Sequence, residues 1–212
     1  MALSLQVVKA LGTDEPRQAW ESVFKHAWEI CASPLPSSGI PGEVTRRDRE
    51  VGSLDLFLTS AGWDLWRHYE SNVERTADAL ATWWASQAGG RAVLLLDGLS
   101  LRELPWLLQG AAARGFEVHS ARATGAELPA ETTPFANALG FSARAQLENN
   151  GASPGHRLVG ARTETLDVPW ADAAKHIGAE KSWVLWHHWP DDRIHDLGEA
   201  GQGLENLTSE AQ

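Results

Sequence analysis

The stretch Arg91-Ala92-Val93-Leu94-Leu95-Leu96-Asp97-Gly98-Leu99 is an apolar run that ends abruptly in a carboxylate. Its consecutive aliphatic residues, bounded by Gly89-Gly90 and Asp97-Gly98, predict a strand buried on both faces, as in a parallel sheet. Open α/β folds bind their ligands beyond the carboxyl ends of such strands. Asp97 is therefore the first candidate for a functional residue. The alternative is an Asp that only turns the chain into the next helix.

Downstream of this run, strand and helix signals alternate. A helix holding Leu104, Trp106, Leu107, Leu108 and Ala111 starts near Glu103 or Leu104, because Pro105 is tolerated only in a first turn. Gly115 closes it, and the weak alternation from Gly115 to Ala121 predicts a second strand. A turn-rich loop then runs to Thr133, ahead of a short helix opened by Pro134. A polar loop from Glu148 to Gly155 precedes a strand expected over Arg157 to Ala161. The last apolar run, Trp183-Val184-Leu185-Trp186, ends in His187-His188. This alternation predicts an α/β fold over residues 88–212, with a mostly parallel sheet and flanking helices on both faces.

Residues 1–87 read as a helical N-terminal region. Trp20, Val23, Phe24, Ala27, Trp28 and Cys31 form one continuous apolar stripe at helical spacing. Asp14-Glu15-Pro16 starts that helix and Pro34-Leu35-Pro36 stops it, with a loop to Gly42. The mixed cluster Arg46-Arg47-Asp48-Arg49-Glu50 reads as the solvated face of a second helix reaching about Trp66. A third helix is expected from Ser71 to Ser86, with Ser71 and Glu74 as a capping box.

The chain has 212 residues, 43% hydrophobic and 22% charged, as in an ordinary globular protein. Its formal net charge of -10 argues against broad attraction to nucleic acid or anionic membrane. Met1 to Leu11 is a poor secretory signal, and no run approaches the ~18 apolar residues of a membrane span. The lone cysteine, Cys31, fits a reducing compartment. A cytoplasmic chain with no membrane partner is the expectation. The 11 tryptophans fall mostly at helical spacing and read as core or interface.

Two segments could carry chemistry. In Pro129-Ala130-Glu131-Thr132-Thr133-Pro134, both hydroxyls stand at or just before a helix N-terminus, where free N–H groups and the dipole favour an anion. Thr133 is pushed to extended geometry by Pro134 and suits an N-cap, whereas Thr132 is freer to point into a cleft. The second segment runs from Trp186 to Glu199 and supplies three histidines and four carboxylates, all first-row metal ligands. His187 and His188 alternate faces if the strand continues, so only one can face a site beside Asp97. Asp172 and His176, four apart, could also share a metal, although an exposed pair is the commoner outcome.

Together these segments resemble the PglZ domain, a branch of the alkaline phosphatase superfamily found in bacteriophage-exclusion (BREX) phage-defence systems. The resemblance covers roughly Arg91 to Glu199. Asp97-Gly98-Leu99-Ser100 stands where that family has Asp-Ala-Leu-Arg, and Pro129-Ala130-Glu131-Thr132 where it has Pro-x-x-Thr. Trp186-His187-His188, followed by Ile194-His195-Asp196-Leu197-Gly198-Glu199, stands where it has aromatic-His-Asn-x-Ile-Asp-x-x-Gly-acid. The resemblance implies an alkaline-phosphatase-like core and a metal-dependent phosphatase or phosphodiesterase. Thr132 would be the metal-activated nucleophile, and Asp97, Thr132, His187, His195 and Asp196 the ligands of zinc, with two divalent metals possible. It also implies a phosphate-ester substrate, such as a nucleotide or nucleic-acid end, and other phage-defence proteins as partners. Family members continue to an Asp-His-Gly signature; no such triplet occurs here, so a C-terminally truncated or split copy with an incomplete core is expected. A non-catalytic α/β interaction module of a defence complex is the alternative. A Rossmann-like nucleotide domain fits less well, because no Gly-rich phosphate loop follows the Asp97 strand.

Overall fold

A computed structural model of the chain describes residues 8–9, 11–12, 15–36, 38–150 and 155–201. The start signal at Asp14, most of residues 1–11 and residues 151–154 of the polar loop lie outside these residues. In chain order the main elements are α1 (Pro16–Cys31), α2 (Ile40–Ala61), α3 (Thr76–Ser86), β1 (Arg91–Leu96), α4 (Leu104–Ala113), α5 (Thr132–Leu139), β2 (Arg162–Leu166), β3 (Ser182–His187) and α6 (Asp191–Glu199), with shorter helical turns between them. No helix among the described residues is long and apolar enough to cross a membrane. The chain divides into two compact units. One comprises Met1–Val73, Ser100–Thr124 and Asp196–Gln212, the other Glu74–Leu99 and Gly125–His195. Sequence pattern alone divided helical from α/β segments at 87/88, whereas α3 falls in the sheet unit and α4 in the helical one.

In the helical unit the stripe of α1 buries Trp20 and Val23 against Leu54, Leu58 and Tyr69. The Trp20 ring meets Trp66 and Tyr69 edge-on at centroid separations of 4.9 and 5.0 Å. Its indole N–H donates to the Leu65 carbonyl at 3.2 Å, so the ring is buried without an orphaned donor. The cluster at 46–50 is not wholly a solvated face. Arg47 is only 3% exposed and donates to the carbonyls of Cys31 and Pro34 and to Glu43. Its fork satisfies the carbonyls left free where α1 ends, a task no neutral side chain of that length performs.

The expected helix from Ser71 divides. A four-residue turn, Tyr69–Asn72, is followed by an extended Val73, and α3 starts only at Thr76. The cause is non-local. Both the Thr76 N–H and its hydroxyl donate to the Gly125 carbonyl, and Glu127 accepts from the Ala77 N–H. A partner segment therefore fixes the helix start, and Ser71 bonds to His68 instead.

The sheet unit is α/β, with a three-stranded parallel sheet of order β1-β3-β2 flanked by helices. β3, not β1, takes the centre and is buried from Trp183 to His187. β1 is an edge strand: Val93 is buried, but Leu94 is 50% exposed, so the expectation of burial on both faces fails. On one face Val93, Leu95, Val184 and Trp186 pack with Trp84 of α3 and Ala136 and Leu139 of α5. On the other, Trp183, Leu185 and Leu166 pack with Ala173. Full burial of a side chain such as Leu139 or Val184 contributes about 1.5–3 kcal/mol.

Two strand expectations were misplaced. Residues 116–121 form no strand, and Phe116 and Val118 stay exposed. The second strand of the sheet is Arg162–Leu166 rather than 157–161. Its sequence, Arg-Thr-Glu-Thr-Leu, carries no apolar run because it too is an edge.

Candidate functional site

The register of the sheet decides which side chains meet. Leu95 pairs with Trp186 and Leu96 with His187, so the odd positions of β1 share a face with Val184 and Trp186. Asp97, one step beyond β1, continues on that face. Its N–H donates to the His187 carbonyl and its carbonyl accepts from the Asp191 N–H, both at 3.0 Å. These two bonds tie the tip of β1 to the end of β3 and the start of α6. Gly98 then turns the chain at φ +70°, with Asp191 Cα and Cβ only 3.0 Å from where a β-carbon would stand. Glycine is required there both by backbone hand and by space.

Across the cleft, α5 begins at Thr132, earlier than Pro134 suggested, with Glu131 at the N-cap and no side-chain cap bond. Thr133 is exposed and does not cap the helix. Thr132 instead donates its hydroxyl to Asp97 Oδ1 at 2.9 Å. The strand tip and the threonine loop, the two segments singled out in the sequence, thus meet directly. They open on a cleft of about 670 Å³, whose walls include Leu95, Glu127, Phe135, Trp186, Asp191 and His195. That is the size of an ordinary small-ligand site.

Burial pushes the Asp97 carboxyl above its usual range; the Thr132 hydroxyl pulls it down, the Asp191 charge pushes it up and the Arg144 guanidinium pulls it down. Arg144 comes from the 3₁₀ turn Arg144–Asn150. Its Nη2 donates to Asp167 Oδ1 and to the Trp186 carbonyl, and its Nε lies 3.9 Å from Asp97 Oδ2. That Nε is buried and makes no hydrogen bond.

The other expected ligands divide between two places. His195 lines the cleft, largely exposed, with Nε2 3.7 Å from Asp191 Oδ2. His187 lies on the opposite sheet face and does not reach Asp97. Its Nδ1 accepts from the Trp189 N–H at 2.9 Å and its Nε2 bonds to the Val168 carbonyl at 3.0 Å. Both ring nitrogens are committed, the ring is neutral, and burial lowers its proton affinity. It lines a separate cleft of about 270 Å³ with Asp167, His188 and Asp192. Asp196 is exposed and lines neither of these clefts. One residue beyond His195, it is turned about 100° around the helix. Asp172 pairs with Lys175, not with His176. Among the described residues, no three His, Cys, Asp or Glu side chains are gathered closely enough to hold a metal ion.

Asp191 and Arg144 are the site residues the sequence reading missed. Asp191 stands four residues before His195, and that spacing on a helix following β3 was a usable signal. Nothing local marks Arg144, which lies in a loop far from either motif. No protein-family model matches this chain, and no curated protein or solved structure matches it.

Proposed function

We propose that the chain is a PglZ-like phage-defence protein whose Asp97–Thr132 cleft is a metal-dependent phosphoric-ester hydrolase site, of phosphatase or phosphodiesterase type. The observation that carries this reading is the 2.9 Å hydrogen bond between the Thr132 hydroxyl and Asp97 Oδ1. A strand-tip carboxylate holding a hydroxyl at a helix start is an arrangement suited to delivering an alcohol nucleophile to phosphorus.

The donor set has the chemistry of a cation site in part. Asp97 and Asp191 present hard oxygen donors at one mouth and repel each other there. These two carboxylates alone would be the protein's ligands to a divalent ion such as zinc, the rest of its shell being left to water and the phosphate group; His187 lies on the other sheet face and Asp196 outside this cleft. When bound, the ion neutralises phosphoryl charge and makes the Thr132 hydroxyl more acidic. In the chain's own steps, Asp97 orients Thr132 Oγ1 and receives its proton at Oδ1. Oγ1 forms the new bond to phosphorus as the ester bond breaks, and the departing alkoxide is protonated from solvent. Water then hydrolyses the phosphothreonine and restores the hydroxyl. α5 starts at Thr132, and the unpaired N–H groups of a helix start, here those of Thr132 and Thr133 but not Pro134, would favour an anionic phosphoryl group.

Other proteins of the defence system are the partners that accompany this reading. The test is to dialyse the chain against zinc, measure the metal retained and assay bis-p-nitrophenyl phosphate. Retained zinc with activity lost in both Thr132→Ala and Asp97→Ala supports the reading. Activity indifferent to both substitutions defeats it, and zinc-free, inactive protein favours the interaction module instead.

A further inference from the structure

We infer that Arg144 is a positioning residue for the proposed hydrolytic site: it orients the Asp97 carboxylate so that Oδ1 faces Thr132. The inference rests on the reading of that cleft as catalytic for its consequence, but not for its geometry. A carboxylate at the end of a strand rotates about its last torsion, and one hydrogen bond to Oδ1 leaves the other oxygen to choose between water and neighbours. Here the second oxygen faces the buried Nε of Arg144 at 3.9 Å. The contact is ionic rather than hydrogen-bonded at that length. It is nonetheless directional, because the guanidinium cannot turn freely. Asp167, just after β2, and the Trp186 carbonyl, within β3, both hold its Nη2. The plane of the fork is set by those two anchors, and Nε is the donor left over.

Low exposure strengthens this. The side chains of Arg144 and Asp97 are 18% and 13% exposed, so water screens the pair weakly. Arg144 also opposes Asp191, whose charge pushes against Asp97 from the α6 side. Removing the guanidinium would leave Asp97 with the Thr132 hydroxyl, the Gly98 N–H and the like charge of Asp191 but no cation, and its second oxygen would turn toward solvent.

The test is a double-mutant cycle between Thr132→Val and Asp97→Ala, each of which removes one partner of the hydrogen bond, read from urea unfolding of the full chain, in the Arg144 background and in Arg144→Gln and Arg144→Lys. In the Arg144 background the two substitutions should be coupled by about threefold to tenfold in the unfolding constant, the size of one hydrogen bond. The coupling should vanish in Arg144→Gln and return in part in Arg144→Lys. Asp167→Asn, which loosens the anchor without touching the cleft, should weaken it and serves where Arg144→Gln does not fold. Coupling unchanged in Arg144→Gln, or in Asp167→Asn where that serves, overturns the inference, since a merely structural arginine would lower stability without uncoupling the pair. Kinetics separate the two readings. In zinc-loaded protein Arg144→Gln should cut kcat at least tenfold with KM within twofold. If the unaltered chain hydrolyses nothing while the coupling behaves as stated, the hydrolase reading fails and the positioning role stands.

Discussion

The backbone N–H of Asp191 donates to the carbonyl of Asp97 at 3.0 Å, which holds two carboxylates at the mouth of one cleft. Burial and the Asp191 charge both raise the Asp97 proton affinity, so its ionised form opposes folding at neutral pH. Asp97→Asn keeps an acceptor for the Thr132 hydroxyl and removes the charge. The variant should be as stable as the parent or more so at pH 7, yet inactive. The sign follows from the raised folded value. The cost is fully present above it and absent below the unfolded value, so the variant's advantage should shrink as pH falls toward 3.8. Urea midpoints of the two proteins at pH 7 and pH 4 check this, and an advantage that grows on acidification would contradict it.

On the proposed hydrolase reading, Thr132→Ala should lower kcat/KM for an aryl phosphodiester by roughly 10³-fold or more, as removal of a nucleophile does. Thr132→Ser, which keeps the hydroxyl, should retain measurable turnover. Circular dichroism of both should match the parent, because Thr132 caps nothing.

Arg47→Met should cost about 3–5 kcal/mol, the range for breaking a buried charged pair from one side. The loss has two parts: the carbonyls of Cys31 and Pro34 lose their donor, and Glu43 loses one of its partners. Chemical denaturation of the two proteins gives the difference. A change under about 1 kcal/mol would mean that water replaces the guanidinium, as happens only at exposed sites.

Glu43 titrates at about 2, pulled down first by its hydrogen bonds to Arg46 and opposed by burial, with Arg47 adding to the effect. A carboxyl depressed in the folded state stabilises above its unfolded value of 4.5, and that contribution is lost as pH falls toward 2. The urea midpoint should therefore drop through this window in the parent and drop less in Glu43→Gln. Added salt should blunt the effect, since Arg46 stands partly in water.

The periodic parts of the sequence were legible. The stripe from Trp20 to Cys31, the Pro105 helix start and the apolar runs of β1 and β3 all follow from spacing and from proline chemistry. The pairing of Asp97 with Thr132 was legible for a topological reason, since strand tips and helix starts converge at one end of a parallel sheet. What failed was decided by partners far along the chain. The start of α3 depends on Gly125 and Glu127, and β2 is a polar edge strand with no pattern to find. Spacing leaves open which of His187 and His188 faces the cleft, and the family resemblance names His187; the β1–β3 register places it on the other face. A one-residue shift in pairing would reverse that placement, and no local sequence signal fixes it. Arg144 is missed for the same reason, since its role exists only once three segments have come together.

The order β1-β3-β2 leaves both outer strands without a further strand partner among the described residues. On β2 the alternating Arg162 and Glu164 discourage another chain from pairing there. β1 has less protection, with Leu94 half in water and only Arg91 carrying charge. Strands of that kind template growth of the sheet from one molecule to the next. Concentrated preparations would thus self-associate through β1 before β2, and a lysine in place of Leu94 would keep them monodisperse.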